Sequence, residues 1–178
     1  MFDDTRVTVR ITIGRAGIER IPELEGLYCA LHDHHAAIAP TLAGVPARDR
    51  GDSWRRRRSL YRSWLSAPGA FVATAEEDGD VVGYAVVSPG DGFQAWASAE
   101  RVADVHDLVV APDRRGRGVG AALMEAVEQQ LAAAGFRELR IRVVDANDGA
   151  LRFYRSRGME PVSRTLLKRL DGSGAAEA

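Results

Sequence analysis

VVAPDRRGRGVGAALMEAVEQQL, Val109 to Leu131, carries glycines at alternate positions, Gly116, Gly118 and Gly120, with Arg114, Arg115 and Arg117 threaded among them. An Ala/Leu-rich run of helical period follows from Val119 to Ala134, and Gly135 closes it as glycine commonly closes helices. Glycines ahead of a helix let backbone N–H groups converge on phosphate oxygens. The helix N-terminus adds partial positive charge, and arginines add charge-assisted bonds. The same residues also suit a tight strand-to-helix turn with solvated arginines, because glycine is common at turns.

Two nucleotide motifs fail on this stretch. GRGVGA, Gly116 to Ala121, fits G-x-G-x-x-G/A, and Asp145 lies downstream after a strand. A dinucleotide fingerprint needs its first glycine at the strand end, but APDRR intervenes after Val110, and too little chain follows Asp145 for the second half of such a domain. A triphosphate loop needs G-K-[ST], whereas Ala121 follows Gly120.

Working outward, RVTVRITI (Arg6–Ile13) alternates as a half-buried strand. A helix from Gly17 carries Ile21, Leu24, Leu27, Tyr28, Leu31, His35 and Ile38 at helical spacing, with Pro22 in its first turn and Pro40 as its stop. Asp52 or Ser53 caps a second helix through WRRRRSLYRSWL. AFVATAEED and VVGYAVVSP form a hairpin about Gly79-Asp80, and RVADVHDLVVAP is the next strand. Beyond the glycine stretch come a strand in RELRIRVVD, a short helix capped by Asn147 or Asp148 and closed by Gly158, and a last strand in EPVSRTLLKRL. The short links in Phe71–Val110 require antiparallel pairing. The strand–helix–strand Val105–Val144 should be a right-handed parallel crossover. The expectation is one α/β domain over residues 6–170, helices on both faces of a mixed sheet, with residues 171–178 as a disordered tail.

Composition agrees. With 46% hydrophobic and 28% charged residues the 178-residue chain is globular, and its net charge of −1 gives no overall pull toward nucleic acid or an anionic membrane. Cys29 is the only cysteine, so no internal disulfide forms. No apolar run reaches membrane length and the N-terminus is not a signal peptide, so a cytoplasmic protein is expected. RRRR (Arg55–Arg58) spreads around a helix rather than forming a stripe, which suggests a solvated helix; an anionic substrate or a coenzyme's outer phosphate remain open partners. Cys29, His32 and His35 in YCALHDHH do not share one face, and no metal site is expected.

DLVVAPDRRGRGVGAALMEAVE resembles the acetyl-CoA-binding motif of the GNAT superfamily of N-acetyltransferases, [RQ]-x-x-G-x-[GA], met by Arg115, Gly118 and Gly120. NDGALRFYRSRGMEPV resembles the family's second motif, N-x-x-A-x-x-F-Y-x-x-x-G-F, departing from it only at Met159, a volume-tolerant exchange. The element order is also similar, and the resemblance covers residues 6–170. It implies the GNAT fold: a mixed, mostly antiparallel twisted sheet of about six to seven strands, about four flanking helices, and splayed central strands.

The resemblance further implies acetyl-CoA as donor substrate, with its pantetheine arm along Leu108, Val109 and Val110. The pyrophosphate would lie on Arg115, Gly116, Arg117, Gly118, Val119, Gly120 and Ala121, and Asn147 would contact the arm, cap its helix, or do both. An N–H near Val109 would stabilise the oxyanion. Tyr154 would protonate the departing thiolate, the alternative being a packing tyrosine. The proton from the acceptor amine would go to His106, where some relatives carry glutamate, or to Asp104 or Asp107. Strand alternation sets Asp104, His106 and Leu108 on one face and Asp107 on the other unless a bulge intervenes. Partners are then acetyl-CoA and an amine acceptor, with the first two helices (including His32, Asp33 and His35) and the loop Pro89–Arg101 bordering the acceptor. A homodimer would be usual for the family. The other reading of the same fold is a non-catalytic acyl-CoA sensor.

Overall fold

The computed structural model describes residues 11–170. Strand β1 (Thr12–Ala16) leads through a 3-10 stretch (Ile18–Leu24) into α1 (Glu25–Ile38). A two-residue-arm hairpin, β2 (Thr41–Leu42) and β3 (Val45–Pro46), precedes α2 (Arg50–Leu65). Strands β4 (Phe71–Glu77), β5 (Asp80–Asp91) and β6 (Arg101–Val110) follow, then α3 (Val119–Ala133), β7 (Leu139–Ile141) and α4 (Asp148–Ser156). The sheet order is β1-β4-β5-β6-β7, antiparallel except for the parallel β6–β7 pair.

Each face of the sheet carries its own core. Phe71, Ala73, Ala85, Val87, Ala103 and Val105 pack under Val119, Leu123, Val127 and Leu131, the four-residue repeat that gives α3 one apolar stripe. Val72, Tyr84, Val86 and Val109, on the other face, meet Ile21, Leu24, Tyr28, Trp54 and Tyr61. Each large side chain so buried contributes about 1.5–3 kcal/mol. These two layers place β6 between α3 and the α1–α2 pair.

The mixed α/β architecture matches the sequence reading, with local corrections. Arg6–Arg10 of the expected first strand and the tail 171–178 lie outside the described residues. Pro22 sits in the 3-10 stretch rather than in an α-helical first turn. The cap of α2 is Asp49, whose carboxylate accepts from Asp52 N at 3.1 Å, instead of Asp52 or Ser53. The β4–β5 turn is Asp78-Gly79, both with positive φ (53° and 92°), the geometry that matches strand twist. Residues 159–169 do not form the expected last strand: they leave the free edge of β7, which is only three residues long, unpaired, and Val162, Leu166, Leu167 and Leu170 are exposed.

Candidate functional site

The end of β6 and the start of α3 form a cradle. Gly116 (φ 72°) and Gly118 (φ 84°) are left-handed, and a Cβ at either would meet nothing within 4 Å. They are therefore glycine for backbone conformation, and they border open space. Gly118 caps α3 without any side-chain hydrogen bond, and Ala122 N to Gly118 O is the first closure. The N–H groups of Val119, Gly120 and Ala121 thus precede the helical ladder and lack helical acceptors. Gly120 instead faces β6 and α4. A Cβ there would lie 3.6 Å from Val110 Cγ2 and 3.8 Å from the Phe153 ring, in ordinary contact with β6 and α4. Arg115 turns back to Val110 O (3.3 Å), and Arg117 is exposed. Arg114 is not available as the sequence suggested, because buried Glu77 accepts from its Nε at 2.5 Å and Asp113 takes its Nη1.

Beside the cradle the sheet opens. Strands β6 and β7 pair only from Ala103↔Leu139 to Val105↔Ile141, and from there to Val110 β6 is paired on its β5 side alone. Ala111 donates to Val82 O across β5. Alternation then turns the Leu108 and Val110 backbone groups toward the opened side and those of Val109 toward β5. The N–H groups near Val109 that face the opened side are those of Leu108 and Val110.

A bulge decides the side-chain placement. Val86 pairs with Asp107 and Val87 with Val105, which leaves His106 as the extra residue. The simple alternation breaks there. His106 stacks on Trp64 of α2 (3.6 Å between centroids, 2° between planes) and shares a 2.8 Å hydrogen bond with Ser88 Oγ. Asp107 also faces α2, accepting from Tyr61 Oη at 2.6 Å, while Leu108 packs toward α3. His106 and Asp107 therefore share a face.

The electrostatics differ from group to group. Burial, reinforced by Arg57, Arg142 and Arg140 and opposed by Asp104, lowers the His106 pKa to about 4, so its imidazole is neutral at pH 7. Burial raises the Asp107 carboxyl, while Arg57 and the Tyr61 hydrogen bond pull it back. Tyr61 Oη also lies 2.9 Å from Tyr84 Oη, and burial drives both phenols well up. Tyr154, only 8% exposed, is raised by burial and next by the Asp107 charge, so its hydroxyl keeps its proton at neutral pH. Asp104 is clamped by Arg140 through both oxygens (2.5 and 2.9 Å). Asn147 caps α4, accepting from Ala150 N at 3.1 Å.

Arg57, Tyr61, Trp64 and Tyr84 did not figure among the site residues read from the sequence. Trp54, Arg57, Tyr61 and Trp64 recur at i, i+3 and i+4 on one helix face, and that signal puts Arg57 on the apolar side of α2 rather than in a solvated run. Of the other arginines in the run, Arg55 and Arg56 are exposed and pair with Asp52. In the LHDHH segment His32 Nε2 contacts Arg48 O, Asp33 pairs with Arg50, and His35 is half-buried with its pKa lowered first by burial. No group of three or more potential metal ligands gathers among the described residues, and no described helix is long and apolar enough to cross a membrane. The loop after β5 holds Phe93 edge-on to Trp96, which is 74% exposed.

A glycine-lined helix start without a side-chain cap thus lies beside a strand edge that β7 leaves free, in a mixed α/β domain. The chain belongs to the acetyltransferase (GNAT) family, whose family model matches residues 17–159. It is 33% identical over 103 residues to an uncharacterised N-acetyltransferase of Methanocaldococcus jannaschii (56% of this chain, 44% of that protein). It is also 33% identical over 102 residues to the mycothiol acetyltransferase of Amycolatopsis mediterranei (57% of this chain, 33% of that protein). The chain thus spans less than half the length of either relative. Among solved structures, an aminoglycoside N-acetyltransferase in complex with CoA superposes with a TM-score of 0.67 at 19% identity (94% of this chain, 99% of that one). A GNAT-type acetyltransferase from Ralstonia eutropha reaches 0.71 at 18% (92% and 100%). At these identities the structures speak for the fold.

Proposed function

We propose that the protein is an N-acetyltransferase that moves the acetyl group of acetyl-CoA directly onto a primary amine of a small molecule or peptide. The carrying observation is the uncapped start of α3, with left-handed Gly116 and Gly118, beside the β6 edge that β7 leaves free beyond Val105. The pyrophosphate accepts from N–H groups between Arg115 and Ala121, and Arg117 adds charge from the exposed side. The pantetheine arm pairs with the open backbone of Leu108 and Val110 as an added strand.

In the reaction the amine nitrogen attacks the thioester carbonyl, an N–C bond forms, and the C–S bond breaks. The oxyanion is held by a β6 N–H on the open side. The amine proton passes to His106, neutral at pH 7 and so able to accept it directly or through water. Its low basicity makes it a weak base, which the thioester's reactivity tolerates only with good positioning. Asp104 is the poorer candidate, since both its oxygens are taken by Arg140. Tyr154, kept protonated by burial, gives its proton to the departing thiolate.

The test is CoA thiol release from acetyl-CoA with polyamines, aminoglycosides, amino acids and peptides, alongside calorimetric binding of CoA. Release with any amine supports the enzyme. Binding of CoA with no release in every class would instead favour an acyl-CoA sensor on the same fold.

A further inference from the structure

The acceptor side of the opening carries a half-buried cation, Arg57, whose charge is favoured against its burial by Asp107, Tyr61 and Tyr28. Arg57 stands on the inner face of α2, with its guanidinium over the rings of Tyr28 and Trp64 at 5.5 and 5.6 Å. Trp64 in turn stacks on His106. Other arginines of the protein meet carboxylates closely: Arg50 with Asp33 at 2.8 Å, Arg157 with Glu128 at 2.8 Å, Arg140 with Asp104 at 2.9 Å. Arg57 has its ion contact with Asp107 at 3.4 Å, longer than a charge-assisted hydrogen bond, and that oxygen already accepts from Tyr61 at 2.6 Å. Its side chain is 28% exposed, so a ligand can reach it.

A second arginine lies across the opening. Arg142 follows Ile141, where β7 parts from β6, and by alternation shares the side of Arg140, which reaches Asp104. It is exposed and has no ion-pair partner among the described residues, yet its charge is felt at His106. Around that imidazole three guanidinium groups, Arg57, Arg140 and Arg142, face two carboxylates, Asp104 and Asp107, and one of each is spent in the Arg140–Asp104 clamp. The remaining charge disfavours a polycation and favours an anion.

We propose that the acceptor is an amine that also bears a carboxylate, such as an amino acid or short peptide, with the carboxylate held between Arg57 and Arg142 and the amine presented toward His106. This rests on the acetyltransferase reading and narrows it to one acceptor class.

The experiment compares L-amino acids and dipeptides with their own carboxamides, and with spermidine and kanamycin, by thiol release from acetyl-CoA. The amides keep the amine and lose the charge. The acids should exceed their amides in kcat/KM by at least about tenfold, the loss of one hydrogen bond to a charged group. R142A, an exposed change whose fold is checked by circular dichroism, should lower the acid-to-amide ratio of kcat/KM by a similar factor through the KM of the acids, any change in His106 basicity being common to both substrates. Equal rates for acids and amides, preference for spermidine or kanamycin, or an acid-to-amide ratio unchanged in R142A would overturn the proposal while leaving the acetyltransferase reading intact. No release with any amine would overturn both.

Discussion

Gly118→Ala separates the cost of backbone conformation from the cost to a ligand. Gly118 has φ 84° and ψ −6°, and an added methyl meets nothing within 4 Å. The folded protein therefore loses only the left-handed preference, about 1–2 kcal/mol for an L-residue. In a domain of this size that lowers Tm by roughly 2–8 °C. Gly135 is the internal control, with φ 81°, nothing within 4 Å of its Cβ, and a position at the opposite end of α3. G135A should lose the same stability. The two must differ in CoA affinity, because relaxation at residue 118 turns the Val119–Ala121 N–H groups away from a common point. Losing even one hydrogen bond to phosphate costs about 1.5–3 kcal/mol, a roughly 10- to 150-fold weaker Kd. Differential scanning fluorimetry measures the first quantity and isothermal titration calorimetry with CoA the second. If G118A binds CoA as tightly as wild type, or G135A weakens it equally, the cradle assignment is wrong.

Three further outcomes follow from the same geometry. Tyr154→Phe should lower kcat by tenfold or more, within the range of one general acid, with CoA affinity unchanged in calorimetry; full turnover would remove Tyr154 from the chemistry. Tyr61→Phe strips buried Asp107 of its 2.6 Å donor and should cost about 1–3 kcal/mol in urea unfolding, while raising the Asp107 carboxyl further. His106 has a folded pKa of about 4 against 6.5 when unfolded, so between those values the unfolded chain holds the extra proton. Stability is complete above pH 6.5 and falls as pH drops toward 4, by on the order of 2–3 kcal/mol from this group. His35, also lowered by burial, adds loss of the same sign, and His106→Gln should flatten the profile in part; an unchanged slope in that variant would refute the burial argument.

Local chemistry announced much of this molecule. Glycines at 116 and 118 declare their need for left-handed backbone, the four-residue apolar repeat from Val119 to Leu131 declares α3, and the asparagine at 147 declares a helix cap, because each depends only on residues close in sequence. The spacing of Arg57 with Tyr61 and Trp64 was equally local and was masked by its three arginine neighbours. What tertiary structure alone decided was the sidedness of the opening. A bulge at His106 depends on how β5 and β6 register, and that depends on both cores at once, so no alternation rule applied to β6 alone could put His106 and Asp107 on one face. Partner choice was likewise long-range. Arg114 goes to Glu77 and Asp104 to Arg140, each pair more than thirty residues apart. These contacts remove two polar groups that looked available and leave Arg142 exposed without an ion pair among the described residues, because charge satisfaction is settled by distance in space.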